Sequence, residues 1–453
     1  MDIKINPKKL SGYYYPPSSK SIGHRAIICA SLSDGVSEIS NVDFSDDIDA
    51  TIDAMMEFGA KIERFKRKVV IEGIFYREKS ARTLDRTEAI VDDTQEKIYS
   101  IFCGESGSTL RFLMPISLLF GKKTEFITHG NLINRPMDVY FNIFKDEGIE
   151  FKIDNNSIII GENKGLKNRK LYIDGGVSSQ FISGLLFYLP LLDFDTEIEV
   201  FGELQSKAYV DLTIDTLEKF GVGIENEGHR IFKISGNQSY KPSQLAIEPD
   251  FSQIAFFAVA NELGSHVKID GIDVPSNQGD RAILGIIKDF KVLDDNMIFS
   301  DIIDNTFVLD GSQIPDIIPI LALLFSRSNI RCRVENLDRL KIKESDRLES
   351  TVEELKKLGY DIEIGIFGDR FCMEINYRSL SRKDNGKMDD DLIQVSSHND
   401  HRIAMMLAIA ATVHHCSVII RNAQCVSKSY PYFWKDYKML GGDISECDLG
   451  EKL

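Results

Sequence analysis

What the sequence lacks narrows the field before any motif is considered. Its longest apolar run, residues 317–325, is broken by Pro319 and falls far short of a bilayer span. The opening Met1-Asp2-Ile3-Lys4-Ile5-Asn6-Pro7 has no apolar stretch of the kind a secretion signal requires, so a cytoplasmic protein is expected. The seven cysteines are odd in number and form no Cys-x-x-Cys pair. They read as small hydrophobes in a reducing compartment, not as a disulfide frame or a zinc site. Basic residues are also in deficit: 54 Lys and Arg stand against 70 Asp and Glu, a net charge of −16. Such a chain repels polyphosphate at long range, which argues against nucleic acid or an anionic membrane as partner. A small anion is still permitted, because cations gathered locally outweigh a screened global charge.

What is present is ordinary in bulk and repetitive in detail. With 43% hydrophobic and 27% charged residues over 453 positions, the chain is globular and long enough for two or three domains. A helical run closed by glycine and followed by a strand recurs every 70–90 residues or so. Its clearest copy begins at Lys341-Ile342-Lys343-Glu344-Ser345-Asp346-Arg347. Leu348, Val352, Leu355 and Leu358 follow at helical spacing, then Gly359, then the alternation Tyr360-Asp361-Ile362-Glu363. The other copies close at Gly59, Gly148, Gly221 and Gly441. A further copy, starting at Gly279, has Phe290-Lys291 where the glycine is expected and should turn to strand there. Between these lie helices predicted at 22–32, 109–119, 181–189, 252–261, 317–325 and 400–413. Most are apolar on several faces, so deeper burial is expected of them. The polar stretch 381–391 reads as a hairpin turn. The fold class is α/β, two similar domains of three repeats each.

The chemistry-bearing residues cluster where helices begin. Ser18-Ser19-Lys20-Ser21-Ile22-Gly23-His24-Arg25 combines capping hydroxyls, backbone N–H groups and two cations at one helix N-terminus, a way to hold phosphate or carboxylate. Gly104-Glu105-Ser106-Gly107-Ser108-Thr109-Leu110-Arg111 is a second such turn, without the Gly-Lys-Ser/Thr ending of a nucleotide-binding loop. Val177-Ser178-Ser179-Gln180 and Ser206-Lys207-Ala208-Tyr209 are a third and fourth. Asp316 stands alone among apolar neighbours in Ile314-Pro315-Asp316-Ile317, placed either as a cap or as a desolvated base. Asn399-Asp400-His401-Arg402 opens another helix, and Ser427-Lys428-Ser429-Tyr430 precedes the last repeat. His398 and His401 have no third ligand at metal-binding spacing, so no metal is expected. Together these stretches are the inventory of a protein that gathers two multiply charged small anions.

The same residues closely resemble the 5-enolpyruvylshikimate-3-phosphate synthases, enolpyruvyl transferases. The resemblance runs through Lys20–Arg25, Arg135-Pro136-Met137, Val177–Gln180, Ile314-Pro315-Asp316, Lys343-Glu344-Ser345-Asp346-Arg347-Leu348, Asn399–Met405 and Ser427–Pro431, in the family's order over nearly the whole chain. It implies an inside-out α/β barrel in which each domain is three βαβαββ repeats. One domain would be discontinuous, 1–18 with 247–453, the other 19–246, and the active site would lie in a cleft that closes on substrate. The implied reaction moves the enolpyruvyl group of phosphoenolpyruvate to the 5-hydroxyl of shikimate 3-phosphate through a tetrahedral intermediate, within the shikimate pathway to chorismate and the aromatic amino acids. No cofactor is implied, and a monomer is expected.

By resemblance, Asp316, Glu344 and Lys20 are catalytic: Asp316 as base for the hydroxyl, Glu344 as the acid that protonates C3. Shikimate 3-phosphate would contact Lys20, Ser21, Arg25, Ser178, Ser179, Gln180, Ser206, Tyr209, Asp316 and Lys343. Phosphoenolpyruvate would contact Lys20, Gly107, Arg135, Gln180, Arg347, Arg402 and Lys428. Arginine suits both anions because its planar fork donates in pairs. Two positions depart from the family's pattern. Glu105 stands where many members have Asn, and is expected to turn from the anion or pair with a base. Arg339 stands where some members have Asn. Two alternatives remain at this stage: transfer to UDP-N-acetylglucosamine, disfavoured because Ser21 follows Lys20 where that enzyme has Asn, and an inactive repeat scaffold.

Overall fold

The computed structural model describes residues 1–77, 98–296, 306–376 and 392–447; the turn expected at 381–391 lies outside them. One repeat shows the plan most fully. Strand Lys170–Asp174 leads into helix Ser179–Tyr188, strand Thr196–Phe201, helix Lys207–Lys219 and the hairpin Glu225–Glu227/Ile231–Ile234. The first two strands are parallel, with Lys170 opposite Glu197, which requires the helical crossover between them. The last strand returns antiparallel against the second, Ile234 opposite Thr196, and the third lies outside it. The same order is found in the sheet of Tyr99–Gly104, Thr124–Thr128, Ser157–Ile160 and Phe151–Asp154. It recurs in that of Thr306–Asp310, Arg331–Glu335, Arg370–Ile375 and Ile362–Phe367.

Three sheets take a strand from a distant part of the chain. Asp2–Asn6 inserts between Val418–Arg421 and Asp443–Cys447, with Ile5 opposite Val418 and Ile444. Gln244–Ala246 lies parallel to Val36–Ser40 and supplies the missing first strand of the repeat that begins with helix Lys20–Ser31. Ser11–Tyr14 pairs in parallel with His266–Ile269. These returns divide the chain into two compact units, 18–248 and 1–17 with 249–453. Each has its own apolar core.

Helices that read as apolar all round are the buried ones. Every residue of Ile318–Phe325 is buried, and His401–Val413 is buried over nearly its whole length. By contrast, Arg347–Lys357 buries Leu348, Val352 and Leu355 and leaves its lysines in solvent. That helix stops where Gly359 takes a left-handed φ of 79°, which costs glycine nothing and other residues strain. Gly59, Gly148, Gly221 and Gly441 end their helices with the same sign of φ. The copy lacking a glycine behaves differently: helix Ala282–Asn296 continues through Lys291, Val292 and Leu293. The expected change to strand after Phe290 is therefore wrong. With no residue tolerant of the left-handed region, and with lysine and leucine favouring helix, nothing stops it there. A smaller correction concerns cysteine: Cys416 and Cys447 are partly exposed, whereas the other five are buried.

Candidate active site

In the 18–248 unit, four helix starts carry the predicted residues. Ser19 caps helix Lys20–Ser31 by accepting from the Ile22 N–H, and the Lys20 ammonium lies 2.6 Å from Asp47. Arg25 is inside the unit. Its Nε donates to Thr213 (2.8 Å), and its terminal nitrogens donate to the carbonyls of Ser21 (2.7 Å) and Tyr209 (2.8 Å). Burial pushes its pKa down to about 10. Arg25 thus ties the Ser21 turn to the Ser206–Tyr209 turn, where Ser206 is buried with a left-handed φ of 56°. Ser178 caps the helix that carries buried Ser179 and half-buried Gln180.

Gln180 links two turns. It donates from Nε2 to Ser108 (3.0 Å), and its Oε1 accepts from Arg111 (2.8 Å). At Gly107 a side chain could not be added freely: a Cβ there would stand 2.9 Å from Arg135 Nη1 and 3.3 Å from Arg111 Nη1. Two guanidiniums and an amide therefore converge on one bare backbone turn, a concentration of donors suited to an oxyanion. The Glu105 carboxylate packs against Gly130, within 2.8 Å of where a Cβ would be.

The second unit gathers Asp316, Lys343, Glu344, Arg347, Asp400 and Arg402. Arg347 is only 1% exposed and serves three carboxylates. Its Nε donates to Asp400 (2.9 Å), Nη1 to Asp316 (2.8 Å), and Nη2 to Glu344. Burial disfavours its charge, but Asp400, Glu344 and Asp316 outweigh that and raise its pKa. Asp316 also faces Lys343 Nζ at 3.5 Å and Arg402 Nη2 at 3.6 Å, a single carboxylate among three cations. Burial lowers the Lys343 pKa to about 8; Asp316 opposes this shift, and Arg339 and Arg347 reinforce it. Arg402, also raised despite burial by Asp316, Asp250 and Asp280, donates to the Ser252 carbonyl at 3.2 Å. Lys428 donates to the Asn399 carbonyl at 2.8 Å.

The predicted site residues therefore form two sets, one in each unit. Sequence reasoning missed three members. Asp400, in sequence only part of a helix start, is wholly buried, caps Arg402 N–H (2.8 Å) and anchors Arg347. Arg111 ends the Gly104–Arg111 turn, where the sequence assigns it no role, and no pattern singles out Asp47. The signal available for all three was a charge next to an already suspected helix start. His398 does not face His401's neighbours as a metal pair: its Nε2 is 2.6 Å from Glu354. Glu353, Glu354 and His398 do place three ligand atoms within 4.8 Å of one another. Lys357, 2.7 and 2.8 Å from the two carboxylates, already supplies the positive charge a metal would bring.

Residues 5–437 match the family model described as EPSP synthase (3-phosphoshikimate 1-carboxyvinyltransferase). The chain belongs to the EPSP synthase family. It is 43% identical over 451 residues to the 3-phosphoshikimate 1-carboxyvinyltransferase of Clostridium perfringens strain 13, covering 98% of this chain and 99% of the relative. Among solved structures it resembles an EPSP synthase from Acinetobacter baumannii, with a TM-score of 0.70 at 20% identity, covering 98% of this chain and all of that one. It also resembles the enolpyruvyl transferase NikO from Streptomyces tendae, with a TM-score of 0.67 at 16% identity over 98% of each. The two structural likenesses establish the fold, a mixed α/β architecture of repeated βαβ units in two similar halves. Membership of the EPSP synthase family sets aside both the UDP-sugar reading and the scaffold reading. No helix among the described residues is long and apolar enough to cross a membrane.

Proposed function

We propose that the chain transfers the enolpyruvyl group of phosphoenolpyruvate to the 5-hydroxyl of shikimate 3-phosphate, releasing phosphate, in the pathway to chorismate and the aromatic amino acids. The observation that carries this reading is the Arg347 cluster: two solvent-touching carboxylates, Asp316 and Glu344, held on one buried guanidinium. Asp316 takes the hydroxyl proton as the 5-oxygen bonds to C2, and Glu344 delivers a proton to C3. In the second step the C3 proton returns to Glu344, the C2–O bond to phosphate breaks with the leaving phosphate taking the proton held by Asp316, and the enol ether forms. Lys20, Arg135, Gln180, Arg347, Arg402, Lys428 and the Gly107 turn bind phosphoenolpyruvate. Ser21, Arg25, Ser178, Ser179, Gln180, Ser206, Tyr209 and Lys343, with Lys20 and Asp316, bind shikimate 3-phosphate. The enzyme acts as a cytoplasmic monomer.

Support comes from the chemistry of the sets: converging donors at Gly107 for the leaving phosphate, paired acid and base at Arg347 for the proton transfers. Arg347 is held on three carboxylates, so an arriving anion competes with Asp316 and Glu344 for it. A phosphate-release assay with purified protein and both substrates tests the reading. Release only when both are present is expected. No release, or release with UDP-N-acetylglucosamine in place of shikimate 3-phosphate, overturns it.

A further inference from the structure

Behind the Gly107 turn runs a buried chain of side chains to which nothing above gives a role. His24 Nδ1 lies 2.7 Å from Thr51 Oγ1, Thr51 Oγ1 lies 2.7 Å from Thr109 Oγ1, and Thr109 donates to Ser106 Oγ at 2.7 Å. All four residues are 1% exposed or less. The chain joins three helices: Lys20–Ser31, Asp46–Glu57 and Gly107–Ser117.

A hydroxyl has one proton, so the direction of each link constrains the next. Thr109 gives its proton to Ser106, the Asp47 carbonyl being much farther at 3.4 Å. Thr51 must then donate to Thr109, and its oxygen accepts from His24 Nδ1–H. The opposite tautomer would place a proton on His24 Nε2, which has no partner among the described residues, and orphaned buried N–H groups are rare. At the far end, Ser106 Oγ accepts twice, from the Thr109 hydroxyl and from the Thr109 N–H at 3.2 Å. Its two acceptor positions are filled. What remains is its own O–H, for which the described residues offer no acceptor, one position before the Gly107 turn with its two guanidiniums.

We propose that Ser106 donates a hydrogen bond to an anionic oxygen bound at the Gly107 turn, its proton freed for that purpose by the relay His24–Thr51–Thr109. Resting on the reading above, this makes Ser106 a further contact for phosphoenolpyruvate and makes His24, Thr51 and Thr109 positioning residues. The relay requires a neutral His24 protonated on Nδ1. Burial, with Lys20 and Arg25 nearby, keeps that ring from gaining a second proton.

Two measurements on the full chain test it. Nitrogen-15 NMR at neutral pH should show His24 uncharged with its proton on Nδ1; a proton on Nε2 overturns the relay whether or not the enzyme turns over. In steady-state kinetics, Ser106→Ala should raise the KM for phosphoenolpyruvate about tenfold, the scale of a hydrogen bond to a charged group, with the KM for shikimate 3-phosphate nearly unchanged. Thr51→Val, which touches no ligand, should shift the same constant in the same direction, and Thr51→Ser should restore it. Should Ser106→Ala not fold, the Thr51 pair carries the kinetic test. Lower Tm with an unchanged phosphoenolpyruvate KM would make the relay structural only. If the unmodified protein releases no phosphate, the functional reading fails separately, and titration with inorganic phosphate replaces kinetics: equal affinity in Thr51→Val and the unmodified protein sinks the proposal.

Discussion

Arg347 is the residue on which the second unit's site turns, because it is the shared counter-ion of Asp316, Glu344 and Asp400. Its removal would strand a fully buried Asp400 charge. Arg347→Met is expected to lose about 3–5 kcal/mol of stability, the cost of breaking a buried pair, seen as a lower denaturant midpoint. Glu344→Gln and Asp316→Ala each leave Arg347 two of its three carboxylates, so they should fold while losing at least about two decades of kcat. Near-normal turnover in either would remove its assigned role. Lys343 gives a pH signature. With a pKa near 8, its ammonium is present below that pH and lost above it. Shikimate 3-phosphate affinity should therefore weaken as pH rises through about 8. Lys343→Met should abolish that dependence in calorimetric titrations.

At the scale of elements, the site is held by what lies behind it. Helix Ser179–Tyr188 crosses helix Gly107–Ser117 at Gly184, where a Cβ would fall 2.2 Å from the Tyr140 hydroxyl and 2.4 Å from the Arg111 carbonyl. Gly184→Ala should cost about 1–3 kcal/mol or more through overpacking and displace Arg111, read as a lower Tm and weaker phosphoenolpyruvate binding. In the other unit, buried Glu354 holds the turn that carries Asn399 and Asp400 by accepting from Ser396 N–H (3.0 Å) and the His398 ring (2.6 Å). The hydrogen bond to Glu354 raises the His398 pKa, and burial only partly opposes it. For Glu354, burial is outweighed by His398, Lys357 and Ser396, and its pKa falls. A raised histidine stabilises fully below its ordinary 6.5 and loses its effect as pH rises through the folded value. A lowered carboxylate stabilises fully above its ordinary 4.5 and loses its effect as pH falls through the folded value. The pair therefore contributes most between 4.5 and 6.5. The stability difference between the unmodified protein and His398→Ala should peak in that window and shrink above it. The elements themselves were readable because their signals are local: apolar period, capping serine, stopping glycine. The one misread, the helix running on past Phe290, is where the local stop signal was missing.

For the molecule as a whole, the order of strands shows which parts can stand alone. The 18–248 unit is continuous in sequence, and its strand Gln244–Ala246 returns to complete its own sheet. Expressed by itself, that segment should fold cooperatively and keep its own core, checked by calorimetry; a non-cooperative melt would count against it. The other unit needs Asp2–Asn6 between two C-terminal strands, so a chain beginning at residue 18 should leave that sheet incomplete and melt at lower temperature.

By itself the sequence determined the repeat, the α/β class, the helix starts that carry cations and, through resemblance, the reaction, because each is written in neighbouring residues or in their order. It could not determine which charges meet. That Arg347 sits on Asp316 and Asp400, that Glu105 rests on Gly130, and that four polar side chains from three helices align behind Gly107 depend on side chains tens of positions apart. Buried polar groups must find partners wherever the packed backbone brings them, and only the tertiary structure makes that choice.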